Sequence, residues 1–181
     1  NLFRYERPQR GRLREHWQLN ADIIGVPGIE ADAEIIALAS EFLRSFGAEE
    51  EDFLIKVSAR SVLEDMFDRY GVTGKARKEL RLLIDKRDKL NDFDVQAEAL
   101  LGKPIVFPTE APREIVELME LLRSLGITNV VFDPTLARGF DYYTGMLFEV
   151  FDTAKENARA LFGGGRYDNL LSLFGVEAAP A

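Results

Sequence analysis

Three short stretches of the chain combine residue types that can do chemistry together. The first is Phe3-Arg4-Tyr5-Glu6-Arg7-Pro8, continued by Arg10, Arg12 and Arg14. Side chains alternate along an extended strand, so Arg4 and Glu6 share a face. A guanidinium that forks onto phosphate oxygens beside a carboxylate that accepts from an exocyclic amine suits a nucleotide; a plain cross-strand ion pair uses the same two residues. Five arginines against the single acid Glu6 in the first fourteen residues read either as a solvated arm or as a polyanion site. The return limb holds His16, Trp17, Gln18 and Asp22. Gln18 and Asp22 lie four positions apart and share a face of a regular strand, where an amide and a carboxylate can hold a polar ligand such as an amino acid.

The second stretch is Leu136-Ala137-Arg138-Gly139-Phe140-Asp141-Tyr142-Tyr143-Thr144-Gly145. Its adjacent tyrosines, Tyr142 and Tyr143, point to opposite faces if extended, so one can line a pocket while the other packs; ordinary aromatic core is the competing reading. The third is Gly163-Gly164-Gly165-Arg166-Tyr167-Asp168. Consecutive glycines weaken a strand and mark close approach of a ligand or backbone. The run is not a P-loop, for no Gly-Lys-Ser/Thr follows, and its spacing is not that of a dinucleotide fingerprint. His16 is the only histidine and cysteine is absent, which excludes a His-rich or Cys-based zinc centre. Nothing marks a serine nucleophile of a Ser-His-Asp triad.

The elements that must position these stretches follow from hydrophobic spacing. Residues 2–7 and 16–25 read as two strands of an antiparallel hairpin around an arginine-rich loop. Glu30 to Phe46 has helical spacing, with Asp32 near its cap and Gly47 as its stop. Phe53 to Val57 is a strand. Residues 60–101 are densely charged with helical apolar spacing through Val62, Met66, Tyr70, Leu80, Leu83 and Ile84, as expected of exposed helices. Arg113 to Leu125 is an amphipathic helix stopped by Gly126. Val130 to Phe132, Met146 to Phe151 and the glycine run are strands, and Asp168 is placed to cap a closing helix, Asn169 to Phe174. The expected class is α+β, an antiparallel β-sheet flanked by helices. It divides into a first core part, 1–58, a small helical insertion, 59–103, and a second core part, 104–181.

The chain has 181 residues, 46% of them hydrophobic and 30% charged, enough for one domain with a sizeable core. A net charge of −8 argues against a dedicated nucleic-acid module, despite the basic first hairpin. No apolar run approaches the roughly 18 to 20 residues of a membrane span. Asn1 opens within a strand-like alternation and the final residues end without a closing element, so the expectation is a segment of a longer chain.

In order and spacing, the three stretches resemble histidyl-tRNA synthetases across nearly the whole chain. Phe3 to Leu19 is similar to the motif 2 hairpin of class II aminoacyl-tRNA synthetases, Leu136 to Gly145 to the histidine signature, and Gly164 to Asp168 to the glycine strand after it. The resemblance implies the class II catalytic core and a two-step reaction, in which histidine attacks the α-phosphate of ATP and the histidyl group then passes to tRNA(His). It implies that Arg4 and Arg138 hold the α-phosphate from two sides, Glu6 meets the adenine amine and Arg12 the terminal phosphates. Gln18 would bind the α-ammonium of histidine, and Asp22 and Tyr143 would bracket the imidazole. Tyr142 and the backbone of Gly164 and Gly165 would shape the pocket. His16 stands where the class usually stacks a phenylalanine on adenine.

The same resemblance implies Mg2+ with the ATP, a homodimer in the full-length protein, a cytoplasmic location and no membrane. It places motif 1, motif 3 and the anticodon-binding domain outside this segment. One alternative is a synthetase-like regulatory subunit of ATP phosphoribosyltransferase, but such proteins commonly lose the charged positions, whereas Arg4, Glu6, Arg12, Gln18 and Arg138 are all present. The other, an acidic module whose arginine hairpin binds RNA without catalysis, leaves the Arg138 to Tyr143 stretch unexplained.

Overall fold

The computed structural model describes residues 1–5, 7–8, 13–87, 90–137, 143–154 and 159–181. Its centre is a strand of strict alternation. In β3 (Phe53–Ala59), Phe53, Ile55, Val57 and Ala59 are buried on one face, while Leu54, Lys56 and Ser58 point to the other. β5 (Met146–Asp152) lies antiparallel to β3 over seven residue pairs, from Phe53↔Asp152 to Ala59↔Met146. β6 (Ala160–Gly165) pairs antiparallel with β5, with an irregularity at Val150 and Phe151. β4 (Val130–Phe132) closes the other side, giving the order β4-β3-β5-β6.

One pairing departs from the expected antiparallel pattern: β3 and β4 run parallel, in the register Ile55↔Val130 to Val57↔Phe132. A parallel pair needs a long crossover, and residues 60–129 supply it with four helices. The mixed sheet with flanking helices remains the expected α+β architecture.

Helix α1 (Ile29–Ser45) and helix α5 (Arg113–Ser124) cover one face of the sheet and pack on each other. Their inward stripes are Ala33, Ile36 and Ala39, and Ile115, Leu118 and Leu122, at helical spacing. With the inner residues of β3 and Met146, Phe148 and Val150 of β5 they form the main core. Gly47 ends α1 in the left-handed conformation (φ 88°), as its position predicts. The cap of α1 is Gly28, and Asp32 sits in the first turn, engaged elsewhere.

Helices α2 (Arg60–Tyr70), α3 (Gly74–Asp85) and α4 (Phe93–Leu101) gather around a second core. Leu63, Met66, Phe67, Leu80, Leu83, Ile84, Phe93 and Ala97 are buried there, and Ile105, Phe107 and Ala137 pack against them. Ala137 joins this core to the start of the Arg138 to Tyr142 stretch, which itself lies outside the described residues.

The first hairpin is shorter than its alternation suggests. β1 (Leu2–Phe3) and β2 (Glu15–His16) pair over two residues each and form a sheet of their own. One further bond, from the Arg4 amide to the Arg14 carbonyl at 2.8 Å, extends the ladder. The expected strand 16–25 continues as chain without a ladder. The cause is lack of burial: Phe3 is 76% exposed and Trp17 86%, and a two-stranded ribbon without a packed face has little to lengthen it. The expected closing helix is a single 3-10 turn, Leu171–Phe174. Asp168 does not cap it but binds Thr144.

Leu122 is fully buried where α5 meets the sheet. Leu122→Ala should cost about 2 to 5 kcal/mol in urea unfolding, through lost burial and the cavity left behind.

Candidate active site

The sheet face turned away from α1 and α5 carries the polar side chains. Register places Lys56 opposite Glu149 and Ser58 opposite Leu147 on this face, and Gly163 and Gly165 beside Glu149 and Leu147. The three glycines are therefore not equivalent. A β-carbon on Gly164 would lie 2.7 Å from the Phe148 ring, within the helix-side core. One on Gly165 would lie 2.6 Å from the Met146 carbonyl oxygen and 2.8 Å from the Tyr143 ring. Gly165 thus makes room for an aromatic ring on the polar face, and Gly164 makes room for the core behind it.

Tyr143, Leu136 and Leu147 are buried together at the end of this face, with Tyr167 packed against them. The rings of Tyr143 and Tyr167 are 6.0 Å apart at 53°. The Tyr167 hydroxyl donates to the carboxylate of Asp22. Through Tyr167, then, three of the residues singled out in the sequence (Asp22, Tyr143 and Gly165) come to one place. Tyr167 itself was not among the sequence-predicted site residues. The signal was available, because alternation from Gly165 puts Tyr167 two positions on and on the same face.

Arg166 points the other way and anchors the chain that bears Asp22. Its guanidinium donates to the Gly28 carbonyl at 2.9 Å, to the Val26 carbonyl at 3.3 Å and to Asp32 at 3.0 Å. Its side chain is only 12% exposed. Burial raises the Asp32 carboxyl above its ordinary value, against the lowering pull of Arg166. The Thr144 hydroxyl donates to Asp168 at 2.7 Å and the Thr144 amide to the Arg166 carbonyl at 2.8 Å, so the turn after Tyr143 is tied to the end of β6.

A second group forms on the hairpin. The Arg4 guanidinium lies 2.8 Å from His16 Nε2 and 3.2 Å from Gln18 Oε1, and the Gln18 amide donates to Asn20 at 2.7 Å. A guanidinium can only donate, so Nε2 accepts and the ring proton sits on Nδ1, which is buried with no partner among the described residues. His16 thus holds Arg4 through Nε2. Glu6, Arg12, Arg138 and Tyr142, predicted to contact ATP or histidine, lie outside the described residues.

Where β4 ends, Asp133 opens the stretch that leads to Arg138. Lys56 donates to its carboxylate at 2.8 Å, and the Thr135 hydroxyl and amide donate to it at 2.6 and 2.9 Å. Burial alone would push this carboxyl up, but these donors together hold it below its ordinary value of 3.8. A cleft of about 380 Å3 opens beside this pair, lined also by Arg87, Asn91 and Asp94. Among the described residues none of the sequence-predicted ligands lines it, and its central ion pair is already satisfied. Among the described residues no group of three or more His, Cys, Asp or Glu side chains is placed to hold a metal ion. No described helix is long and apolar enough to cross a membrane.

Two outcomes follow from this geometry. Gly165→Ala should displace the Tyr143 ring and cost about 1 to 3 kcal/mol by overpacking, read in urea unfolding and in the aromatic NMR signals of Tyr143. Because the Asp133 carboxyl is lowered on folding, its stabilising contribution is full above 3.8 and is lost as pH falls through the depressed value. Asp133→Asn should therefore be less stable than wild type at about pH 6, with the difference shrinking toward about pH 2, measured as urea midpoints across that range.

Comparison with known proteins gives a consistent result. Residues 1–100 and 93–181 match the histidyl-tRNA synthetase family. The chain is 39% identical to the histidine–tRNA ligase of Leptospira biflexa, covering 98% of this chain and 46% of that protein. It is 40% identical to the histidine–tRNA ligase of Nanoarchaeum equitans, covering 99% and 45% respectively. It spans about half the length of the curated relatives it matches. Among solved structures, histidyl-tRNA synthetase from Nostoc superposes with a TM-score of 0.70 at 20% identity, over 87% of this chain and 44% of that one. An ATP phosphoribosyltransferase regulatory subunit/histidyl-tRNA synthetase from Bacillus halodurans gives 0.65 at 26% identity, over 87% and 48%.

Proposed function

The chain belongs to the histidyl-tRNA synthetase family, and on that premise we propose that it carries the ATP and histidine sites of a histidine–tRNA ligase. The observation that carries this reading is the Asp22–Tyr167–Tyr143 arrangement over Gly165. Imidazole offers one N–H donor and one acceptor nitrogen, and a carboxylate and a phenol hydroxyl together complement both. The hydroxyl of Tyr167 orients the Asp22 carboxylate, while Gly165 sets how closely Tyr143 can approach. Gln18, next to Arg4, would receive the α-ammonium on the hairpin side.

Arg4 and Arg138 then stand for the two cations on the α-phosphate, with Glu6 at the adenine amine, Arg12 at the terminal phosphates and His16 steadying Arg4. Fixed guanidiniums that meet charge as it develops at phosphorus lower the barrier without reorganising. Mg2+ would arrive on the phosphates of ATP, since this ion is commonly bound by one or two carboxylates together with substrate oxygens. It would neutralise phosphate charge there. The acyl acceptor is the terminal hydroxyl of tRNA(His), and the working assembly is a homodimer. The separate core of α2–α4 supports reading 59–103 as a helical insertion between core parts 1–58 and 104–181.

The test is histidine-dependent exchange of labelled pyrophosphate into ATP, measured on the protein that contains this chain. Exchange should be present and should fall about 100- to 1,000-fold in Arg138→Ala while histidine affinity changes by no more than about twofold. Equal loss of exchange and of binding would remove the proposed role of Arg138. The likeness to the Bacillus halodurans structure favours a second reading as a regulatory subunit. Histidine binding with no exchange in the wild-type protein would establish that reading instead.

A further inference from the structure

The turn that presents Tyr143 is gripped from an unexpected direction. Arg60, the first residue of α2, donates through Nη1 to the Tyr143 carbonyl at 2.6 Å. Its backbone amide donates to the Gly145 carbonyl at 3.0 Å. The same guanidinium has its Nε 3.6 Å from Glu64, one helical turn along α2. Glu64 is shared with α3: Arg77 reaches one of its oxygens at 2.7 Å, and Arg81 meets the other. Arg77 also meets Asp68. These groups are largely shielded, with Arg60, Glu64 and Arg77 side chains about one-quarter exposed and Arg81 13%. Screening by solvent is weaker there than on an open surface.

We propose that Arg60 is a positioning residue of the amino-acid pocket and that Glu64 couples it to α3, so the helical unit α2–α4 sets where Tyr143 stands. Three guanidiniums converge on Glu64. Its charge holds Arg60, Arg77 and Arg81 within one cluster, and removing it raises their mutual repulsion. Arg60 is the member whose other end holds the backbone of the pocket. A shift of α3, or an anion that draws Arg77 or Arg81 away from Glu64, therefore reaches Tyr143 through two side chains. The coupling has a physical carrier, a shared carboxylate with more donors than it can serve equally. The inference rests on the reading of this pocket as the histidine site.

The carbonyl 13C signal of Tyr143 and the amide signal of Thr144 are to be read in the protein that contains this chain, as wild type and as Glu64→Gln, Arg60→Met and Arg60→Lys. Each protein is then titrated with L-histidine and, separately, with ATP. Glu64→Gln and Arg60→Met should move both signals and weaken histidine about tenfold, with ATP affinity changed by no more than about twofold. Arg60→Lys, which keeps a cationic donor at the carbonyl, should recover most of the histidine affinity. If the Tyr143 and Thr144 signals stay in place in a folded Glu64→Gln protein, the coupling does not exist. If they move while histidine binds as to wild type, Arg60 positions nothing the ligand uses. A wild-type protein that takes up no histidine would defeat the reading of the pocket instead, and the signals alone would then decide the coupling.

Discussion

The pairing of β3 with β5 is the constraint on which the rest depends. Seven residues of each strand face each other in one register, from Phe53↔Asp152 to Ala59↔Met146. A slip of β5 by one residue against β3 would turn Glu149 into the helix-covered core and Phe148 out of it. Two amphipathic helices stand against that slip, because Ile36 of α1 and Leu118 and Leu122 of α5 are buried in the core on this face. The register in turn decides that Gly165 opposes Leu147, and so that the space beside Tyr143 opens on the polar side.

Most of this arrangement was legible in the residues, and the exceptions have physical causes. The helices around Ile36 and Leu118 and the strand at Val57 announce themselves by period, since each buries one face against one partner. The parallel placement of β4 does not, because three apolar residues, Val130 to Phe132, read the same in either direction. Direction is set by the crossover, which is a property of distant helices. The hairpin limb at 16–25 misleads for the opposite reason. Its alternation is real, but Phe3 and Trp17 find nothing to pack on, and alternation without burial does not hold a ladder.

The candidate site divides in the same way. Asp22, Gln18 and Tyr143 stand out by type and position. Arg166, adjacent to a conspicuous glycine run, looks like a ligand and is instead a clamp on Val26, Gly28 and Asp32. Arg60 gives no local signal at all, being one arginine among many in a charged stretch, and only the turn at Gly145 shows what it grips. Residues that touch a ligand are recognisable by chemistry. Residues that hold those in place are recognisable only by contacts made far along the chain.

The parallel seam between β3 and β4 also bears on how the chain reaches its native state. Residues 60–129 separate the two strands, so the sheet cannot be completed by neighbours in sequence. Helices α2, α3 and α4, whose core is made of residues close to one another along the chain, form through short loops. The seam must wait for them, and for α5, before β4 can dock. During synthesis β3 therefore leaves the ribosome with both edges bare, one until residue 130 follows and the other until residue 146. An unpaired apolar strand in that interval is exposed to wrong partners. The Lys56 side chain in the middle of β3 places a charge on that edge strand while it waits, the kind of residue that discourages stray strands from adding to it.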